Sequence, residues 1–302
     1  MNDIVTTEEI AKARSESFLG EMNVLKMSWW KELSKLTGAY DSVSVLHSFI
    51  DAMFYTLNGE SDKVKDIPCL AGKDYDKRVR ILQRAMRLLG ESMEANRFVD
   101  FIGAADQALR GKGSQDSSEA FYTPTSVCEA MGGIAATDQI KEKLERGEIV
   151  TAYDPTIGAG RLLLSFCKKY ADKLDQIRCF GTDIEINAVR MSYVNFALNG
   201  IAAELKHGNE LMLEHWATYY TPEWHVYEYD RNIKLQMDKW RSIFEGMYDV
   251  TAERAHQTAQ DEPAKSEPVN APAQEENAQE TPAEPEKMDV TIEADGQLTF
   301  NF

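Results

Sequence analysis

A glycine-rich turn between two apolar segments is the stretch of this sequence best suited to hold a ligand. The apolar residues 149–153 run into Asp154-Pro155-Thr156-Ile157-Gly158-Ala159-Gly160, and residues 161–166 have helical apolar spacing. This order predicts a strand, a tight turn and a helix, the opening half of a nucleotide-binding βαβ unit. Glycine lets a backbone approach a ligand, and the free N–H groups of the following helix point towards it. We therefore expect a binding site at this turn, with Gly158 and Gly160 in it.

The residues around the turn narrow the class of ligand. A dinucleotide fingerprint needs a third glycine, and Leu163 stands at that position; a Walker loop needs Lys and Ser or Thr after Gly160, where Arg161 and Leu162 stand. The acidic Asp154 would repel a pyrophosphate and attract an ammonium group. This combination suits the methionine moiety of S-adenosylmethionine (SAM), which carries an α-amino group and a sulfonium.

A second acid follows at the distance expected for a ribose ligand. Residues 177–183 predict a strand that ends at Asp183, 23 positions beyond Gly160, close to the roughly 20 expected for an acid that binds a ribose hydroxyl. Residues 184–198 predict a helix with a stop at Asn199-Gly200, and residues 202–207 predict a third strand before Gly208-Asn209. Strand, acid, helix, strand and polar turn is the order of a SAM-binding half-domain.

Each of these residues also has a purely structural interpretation. Gly158 and Gly160 would fit any tight strand-to-helix turn, and Asp183 would fit a cap of the helix that starts at Ile184. We interpret Asn195 and Asn199 as helix-end residues outside the site.

Four segments of the chain, taken in order, resemble the adenine-N6 DNA methyltransferases, most of all the modification subunits of type I restriction systems. The segments are Phe121-Tyr122-Thr123-Pro124, Asp154 to Gly160, Gly181 to Glu185, and Asn195 to Ile201 followed by Gly208 to Leu211. The resemblance covers roughly residues 95 to 211.

The resemblance implies a Rossmann-like, SAM-dependent methyltransferase domain and a set of cofactor-binding residues. It places Thr123 and Pro124 against the methionine end of SAM, together with Asp154 and Gly158. Asp183 would hold the ribose, and Ile184 and Asn209 would border the adenine. The complete set of expected cofactor-binding residues is Phe121, Thr123, Pro124, Asp154, Gly158, Gly160, Asp183, Ile184 and Asn209.

The catalytic signature of that family is not found. It consists of Asn or Asp, then Pro-Pro, then Tyr or Phe after the fourth strand, where it accepts hydrogen bonds from the target amine and stacks on a flipped base. The sequence contains no Pro-Pro pair. Residues 221–224, Thr-Pro-Glu-Trp, have one proline and an aromatic residue, and we interpret them as a turn with a helix start in preference to a divergent catalytic loop. The catalytic residues are therefore unassigned.

The elements before the turn are predicted to be helical. Thr6 and Glu9 have capping-box spacing, and residues 46–57 place their apolar side chains on one helical face. Trp29-Trp30 and the basic residues 77–87 predict a core-edge aromatic pair and a solvated helix face; a surface that contacts DNA or a partner is the alternative. Residues 111–120 are polar and predict a loop that fits closure over a ligand.

After Leu211 the sheet pattern fades. Residues 224–229 alternate and predict a doubtful fourth strand, and residues 233–248 predict a helix. The resemblance implies about seven strands, so we expect an α/β fold with an incomplete sheet. The predicted domains are a helical bundle at 1–110, a SAM-binding methyltransferase-like domain at 111–250 and an acidic tail at 251–302.

The tail is predicted to be disordered. Residues 251–287 hold five of the nine prolines among Ala, Glu and Gln, a composition that buries too little apolar surface to order the chain. Residues 251–302 carry 12 acids and 3 bases, about half of the net charge of −17. The last residues, 290–302, alternate around Asp295-Gly296 and predict either a hairpin or a peptide that adds a strand to a partner's sheet.

Composition limits the partners. A surface with 50 acids against 33 bases repels nucleic acid as a whole, so we expect DNA contact through a separate specificity subunit or another protein partner. The sequence shows no leading apolar segment and no long apolar span, which predicts a cytoplasmic protein without membrane contact. Its four cysteines have no paired spacing, so we expect reduced core thiols and no metal site.

Three functions are compatible with these patterns. The first is an enzyme that transfers a methyl group from SAM to adenine N6 in DNA. The second is a catalytically inactive SAM-binding subunit or sensor that acts through a protein partner. The third is an acidic protein-binding decoy for DNA-binding enzymes.

Overall fold

A computed structural model describes most of the chain. The described residues are 5–16, 21–72, 74–110, 123–229, 289–292 and 298–301, with positions 232, 233, 235 and 237. The predicted loop at 111–120, Phe121 and most of the predicted tail lie outside the described residues. The chain divides into two compact units, residues 1–242 and 243–302.

The first part of the chain is helical, as its apolar periodicity predicts. The helices are α1 (Thr7–Ser15), α2 (Glu21–Val24), α3 (Ser28–Leu33), α4 (Ser42–Leu57), α5 (Tyr75–Ala95) and α6 (Phe101–Arg110), with 3₁₀ turns at Ser34–Leu36 and Ser61–Asp66. The capping box of Thr6 and Glu9 is present at the start of α1. In α4 the predicted apolar face is buried and includes Leu46, Phe49, Ile50, Met53 and Phe54.

The basic run on α5 is matched by acids of the same helical region. Arg84 forms an ion pair with Glu9, and Arg87 forms one with Glu91 at 2.6 Å. Trp29 and Trp30 are buried and pack edge to face, with ring centroids 5.9 Å apart. These contacts favour the structural interpretation of both features over a DNA-facing surface.

The second part of the first unit alternates helices and strands. Its elements are α7 (Thr125–Ala135), α8 (Asp138–Glu145), β1 (Val150–Asp154), α9 (Arg161–Lys169), β2 (Ile177–Asp183), α10 (Ile186–Asn199), β3 (Ala203–Asn209) and β4 (Glu214–Tyr220). The strands form one sheet in the order β1-β2-β3-β4, with β1, β2 and β3 parallel and β4 antiparallel to β3. The predicted α/β fold with an incomplete sheet is confirmed.

The prediction for the fourth strand is wrong. Residues 222–229, in which a strand was expected, are helical, and the strand is β4 at 214–220 instead. β4 is mostly exposed, with only Ala217, Tyr219 and Tyr220 partly buried, so its sequence lacks the regular alternation by which a half-buried strand is predicted. In the helical segment 222–229, Trp224 packs on Phe180 and Tyr220, with ring centroids 5.6 and 5.3 Å apart.

The two faces of the sheet differ. One face, which includes Cys179, Ala203 and Leu205, is buried in the hydrophobic core with the helices. The opposite face carries Thr151, Tyr153, Glu204 and Lys206 and forms an open cavity of about 330 Å³ near the carboxyl ends of the strands. Glu204 and Lys206 form an ion pair at 3.0 Å there. Parallel sheets are usually apolar and covered on both faces. In the described part of the chain, this sheet is covered by the hydrophobic core on one face.

The helical region and the sheet share one core. Buried residues of α4 and α6, such as Phe54 and Ile102, belong to the same cluster as Phe196 of α10 and Leu205 of β3. Arg190 of α10 forms an ion pair with Asp51 of α4 at 2.6 Å. A domain boundary at residue 110 stays a prediction.

In the second unit, β5 (Asp289–Ile292) pairs antiparallel with β6 (Leu298–Asn301). This pairing agrees with the hairpin alternative for the end of the chain. Among the described residues, no helix combines the length and apolar character needed to cross a membrane.

Candidate functional site

The predicted acids meet at one edge of the sheet. Asp154, Asp183 and Asn209 are the last residues of β1, β2 and β3. Since these strands are parallel neighbours, their carboxyl ends lie at the same edge, where open α/β sheets bind ligands.

The glycine loop, residues 154–160, joins β1 to α9 at this edge. Gly158 and Gly160 have φ angles of 54° and 81°, in the left-handed region that favours glycine. A Cβ on Gly160 would lie 2.6 Å from the Phe196 ring, whereas a Cβ on Gly158 would meet nothing within 4 Å. Gly160 therefore fits against α10, and Gly158 faces open space.

A cavity of about 340 Å³ lies against the glycine loop and brings together Thr123, Asp154 and Gly158. The other lining residues are Cys128, Met131, Pro155, Thr156, Ile157, Ala159, Arg161 and Leu162. Cavities of this size hold small ligands. Thr123 and the glycine loop thus line the same cavity.

Asp154 is a buried carboxylate in this cavity. Burial raises the pKa of Asp154, the charge of Asp183 raises it further, and the N–H of Thr156, which donates to its Oδ1 at 3.0 Å, lowers it. Among the described residues, neither acid forms an ion pair with a lysine or arginine. Such a pair of carboxylates favours a cationic ligand, because a positive charge nearby would offset both burial and repulsion.

Asp183 accepts two backbone hydrogen bonds at the same edge of the sheet. Its Oδ2 accepts a hydrogen bond from Gly158 N at 2.9 Å, and its Oδ1 accepts one from Glu185 N at 2.9 Å, at the start of α10. The N-cap residue of α10 is Glu185, so the alternative interpretation of Asp183 as a helix cap is wrong, and its bond from Glu185 N closes the turn before the helix. Each carboxylate oxygen has a second lone pair, so Asp183 can still accept a hydroxyl from a ligand.

The other expected residues that the structure describes do not line this cavity; they are Pro124, Gly160, Asp183, Ile184 and Asn209. Pro124 is exposed and is the N-cap residue of α7. Ile184 is 56% exposed beside Asp183. Asn209 accepts a hydrogen bond from Met212 N at 3.2 Å and so closes the turn between β3 and β4. Phe121 lies outside the described residues.

Three site residues were missed by sequence reasoning. Asp100, Arg161 and Asn195 form a buried network behind the glycine loop, in which Arg161 Nη2 lies 3.0 Å from Asp100 Oδ2 and Asn195 Nδ2 lies 2.9 Å from Asp100 Oδ1. A signal was available for Arg161, since a cation in the first turn of an apolar helix opposes the helix dipole and needs an acidic partner. No sequence spacing pointed to Asp100.

The segment Thr221 to Trp224 is remote from this edge. Thr221 Oγ1 accepts a hydrogen bond from Ala203 N at 2.9 Å and donates one to Ile201 O at 2.7 Å, at the amino end of β3. The cavity lies at the carboxyl ends, roughly 20 Å away along a seven-residue strand at about 3.3 Å per residue. The segment is the turn and helix start that the sequence favours.

Within the part of the chain that the structure describes, no group of three or more His, Cys, Asp or Glu side chains has a metal-binding arrangement. The four cysteines are free and buried.

Comparison with known proteins gives a matching family model and similar solved structures. Residues 105–238 match the model of the family "N-6 DNA Methylase". The chain is similar to the crystal structure of the type I restriction-modification system methyltransferase subunit from Streptococcus thermophilus, at 22% identity and a TM-score of 0.34. The match covers 65% of this chain and 41% of that one, so this chain spans about two fifths of the length of that subunit. No curated protein matches.

Proposed function

We propose, from the relationship of residues 105–238 to the adenine-N6 DNA methyltransferases, that this chain binds SAM in the glycine-loop cavity and takes part in methyl transfer to adenine N6 in DNA. The observation that carries the proposal is the meeting of Thr123, Asp154 and Gly158 around one cavity. When bound, SAM supplies a methyl group made electrophilic by its sulfonium.

The chain's own residues would bind and orient the cofactor. The Asp154 carboxylate would accept hydrogen bonds from the α-ammonium group, and the open space at Gly158 would let the backbone approach the methionine moiety. Asp183 would accept a ribose hydroxyl while it keeps Gly158 N in place, and Ile184 and Asn209 would border the adenine.

Transfer of the methyl group by direct attack of the N6 amine needs positioning and a hydrogen-bond acceptor for the amine, and no covalent enzyme intermediate. Among the described residues that line the cavity, none matches the family signature of Asn or Asp, Pro-Pro, and Tyr or Phe. Under this proposal the acceptor comes from residues outside the described ranges, whereas an acceptor supplied by a protein partner belongs to the second candidate.

A second candidate is a SAM-binding subunit without catalysis. It is favoured by one observation, the position of Thr221 and Pro222 at the amino ends of the strands. The decoy hypothesis depends on the acidic tail, which lies mostly outside the described residues.

Calorimetric titration with SAM tests the proposal. We expect saturable heat for the unmodified chain and about 10-fold to 100-fold weaker binding for Asp154→Asn, the loss of one charged hydrogen-bonded pair. Asp172→Asn, which changes an exposed acid after α9, is the matched control and should bind normally. No heat from the unmodified chain would remove both candidates.

Incubation with tritium-labelled SAM and adenine-rich duplex DNA separates the two candidates. Label in DNA that is lost with Asp154→Asn supports the enzyme. Cofactor binding without label in DNA, with the chain alone, favours the noncatalytic subunit.

A further inference from the structure

A buried ion pair lies directly behind the glycine loop. Asp100, just before α6, is 5% exposed, and Arg161, the first residue of α9, is 7% exposed. Arg161 Nε and Nη2 donate to Asp100 Oδ2 at 3.1 and 3.0 Å. A positive charge at a helix N-terminus is unfavourable, and burial adds a desolvation cost, so Arg161 depends on Asp100.

The same two residues reach one wall of the cavity. Arg161 Nη1 donates to the backbone oxygen of Thr123 at 3.0 Å. Thr123 precedes α7, which packs on α9, and the same oxygen also accepts a long, weak hydrogen bond from Cys128 Sγ at 3.7 Å. The Asp100–Arg161 pair therefore sets where the Thr123 wall lies.

Asn195 extends the network to the glycine loop, which also lines the cavity. Its Nδ2 donates to Asp100 Oδ1 and to the backbone oxygen of Ala159 in the glycine loop, both at 2.9 Å. Asp100 Oδ1 also accepts from Gly103 N at 2.7 Å, which fixes the carboxylate on α6. One carboxylate thus connects to Thr123 through Arg161 and to Ala159 through Asn195.

The fit around this carboxylate is tight. A Cβ on Gly103 would lie 2.4 Å from the Cβ of Ala159 and 2.3 Å from Asp100 Oδ2. α6 therefore contacts the glycine loop directly. Buried ion pairs contribute little net stability compared with apolar residues of the same volume, so the useful property of this one is the geometry that it imposes.

We infer that Asp100 is a positioning residue of the cofactor cavity, acting through Arg161 and Asn195 on the two walls that face the methionine end of SAM. This inference rests on the proposed SAM binding. The network does not include Ile184 or Asn209, which border the expected adenine end.

Two ligands separate a positioning role from a general loss of structure. SAM has the methionine moiety, and 5′-methylthioadenosine has the same adenosine without the amino-acid part. For Asp100→Asn we expect SAM affinity to fall by about 10-fold to 100-fold, the equivalent of one charged hydrogen bond at the site. We expect methylthioadenosine affinity to stay within about threefold, so the ratio of the two affinities changes.

The control is a buried acid six residues further along the chain, within α6. Asp106 Oδ1 lies 2.8 Å from His47 Nε2, and Asp106 forms an ion pair with Arg110 at 2.7 Å. Asp106→Asn should lower the thermal midpoint and leave the ratio of SAM to methylthioadenosine affinity unchanged. Arg161→Lys keeps the charge but cannot reach Asp100 and Thr123 O together, and it should change the ratio in the same direction as Asp100→Asn.

The outcomes are distinct. Failure of the unmodified chain to bind SAM would remove the proposed function and this inference with it. If the unmodified chain binds SAM and the Asp100→Asn ratio is unchanged, the inference alone is overturned. Should Asp100→Asn not fold, as judged by circular dichroism, the Arg161→Lys ratio decides in the same way.

Discussion

The carboxylate of Asp154, which we propose as a cofactor ligand, has a cost to the fold. Its pKa is raised by burial and by Asp183, so the protonated form is favoured in the folded state. The stability that protonated Asp154 contributes is present below the ordinary aspartate pKa and is lost as pH rises through the raised value. At neutral pH the ionised side chain therefore lowers stability when no cation is bound.

We expect Asp154→Asn to raise the thermal midpoint of the ligand-free chain at neutral pH, because the amide does not ionise. The gain should disappear below the ordinary aspartate pKa, where Asp154 is protonated. Thermal unfolding followed over a pH series measures this. A variant that is less stable than the unmodified chain at every pH would contradict the assignment.

Gly160 and Gly158 differ in what surrounds them. Both need a left-handed backbone, so alanine costs about 1 kcal/mol at either position. Only at Gly160 would the methyl group also collide with Phe196. We expect Gly160→Ala to be destabilised by about 1 to 3 kcal/mol more than Gly158→Ala in urea unfolding, the usual cost of overpacking.

Phe196→Leu provides the test of the cause. If the collision explains the difference, the double variant Gly160→Ala/Phe196→Leu should recover part of the loss. Equal destabilisation of the two single variants would show that the ring is not in contact with the loop.

The sequence predicted the glycine loop and the acids at the strand ends, but it did not predict the residues that hold the loop in place. The turn at 154–160 and Asp183 were recognisable because glycine, acid and strand periodicity occur in a fixed order. Asp100 and Asn195 contribute through contacts between residues 95 positions apart, and a single sequence carries no signal of such contacts. Asn195, interpreted as a helix-end residue, donates to the loop instead.

At the scale of elements, the junction between β4 and the helical segment 222–229 depends on Thr221. Thr221 is fully buried, and its hydroxyl completes the hydrogen bonding of Ala203 N and Ile201 O. We expect Thr221→Val, which is nearly isosteric, to lower the free energy of unfolding by about 1 to 3 kcal/mol, because it leaves a buried N–H without an acceptor. Urea unfolding measures the change.

SAM affinity should be the same in Thr221→Val as in the unmodified chain. A variant with unchanged stability but no methyl transfer would instead place Thr221 in the chemistry. Such a result would reverse the structural interpretation of residues 221–224.

The elements that were predicted well are those with a strong burial pattern. β2 and α4 have one consistently apolar face and lie where periodicity predicts them. β4 was missed because it is an exposed hairpin strand stabilised by pairing with β3, and backbone pairing leaves no pattern in side-chain types.

At the scale of the whole molecule, exposed apolar side chains are unevenly distributed. Among the described residues, every large hydrophobic side chain that is exposed lies between residues 127 and 237, and none lies in α1 to α6. Leu211 and Met212, at the turn after β3, are 96% and 65% exposed. Exposed apolar groups of this kind are typical of interaction surfaces.

Replacing Leu211 and Met212 by serine tests whether this turn contributes to an apolar surface. We expect lower fluorescence of a hydrophobic dye and a free energy of unfolding unchanged within about 0.5 kcal/mol, as for other surface changes. Glu214→Ser, an exposed polar residue of the neighbouring strand, is the control for dye binding. Loss of stability in the Leu211→Ser/Met212→Ser variant would mean that the turn packs on the fold.

Because Arg161 depends on Asp100, the choice of the first residue matters when a fragment of this protein is expressed. A fragment that starts at residue 105, where the family match begins, would lack Asp100. The buried guanidinium of Arg161 would then lose this carboxylate. Such a truncated product should be poorly expressed or insoluble, whereas one started before α1 should not. The smallest piece that folds is therefore expected to be larger than residues 105–238.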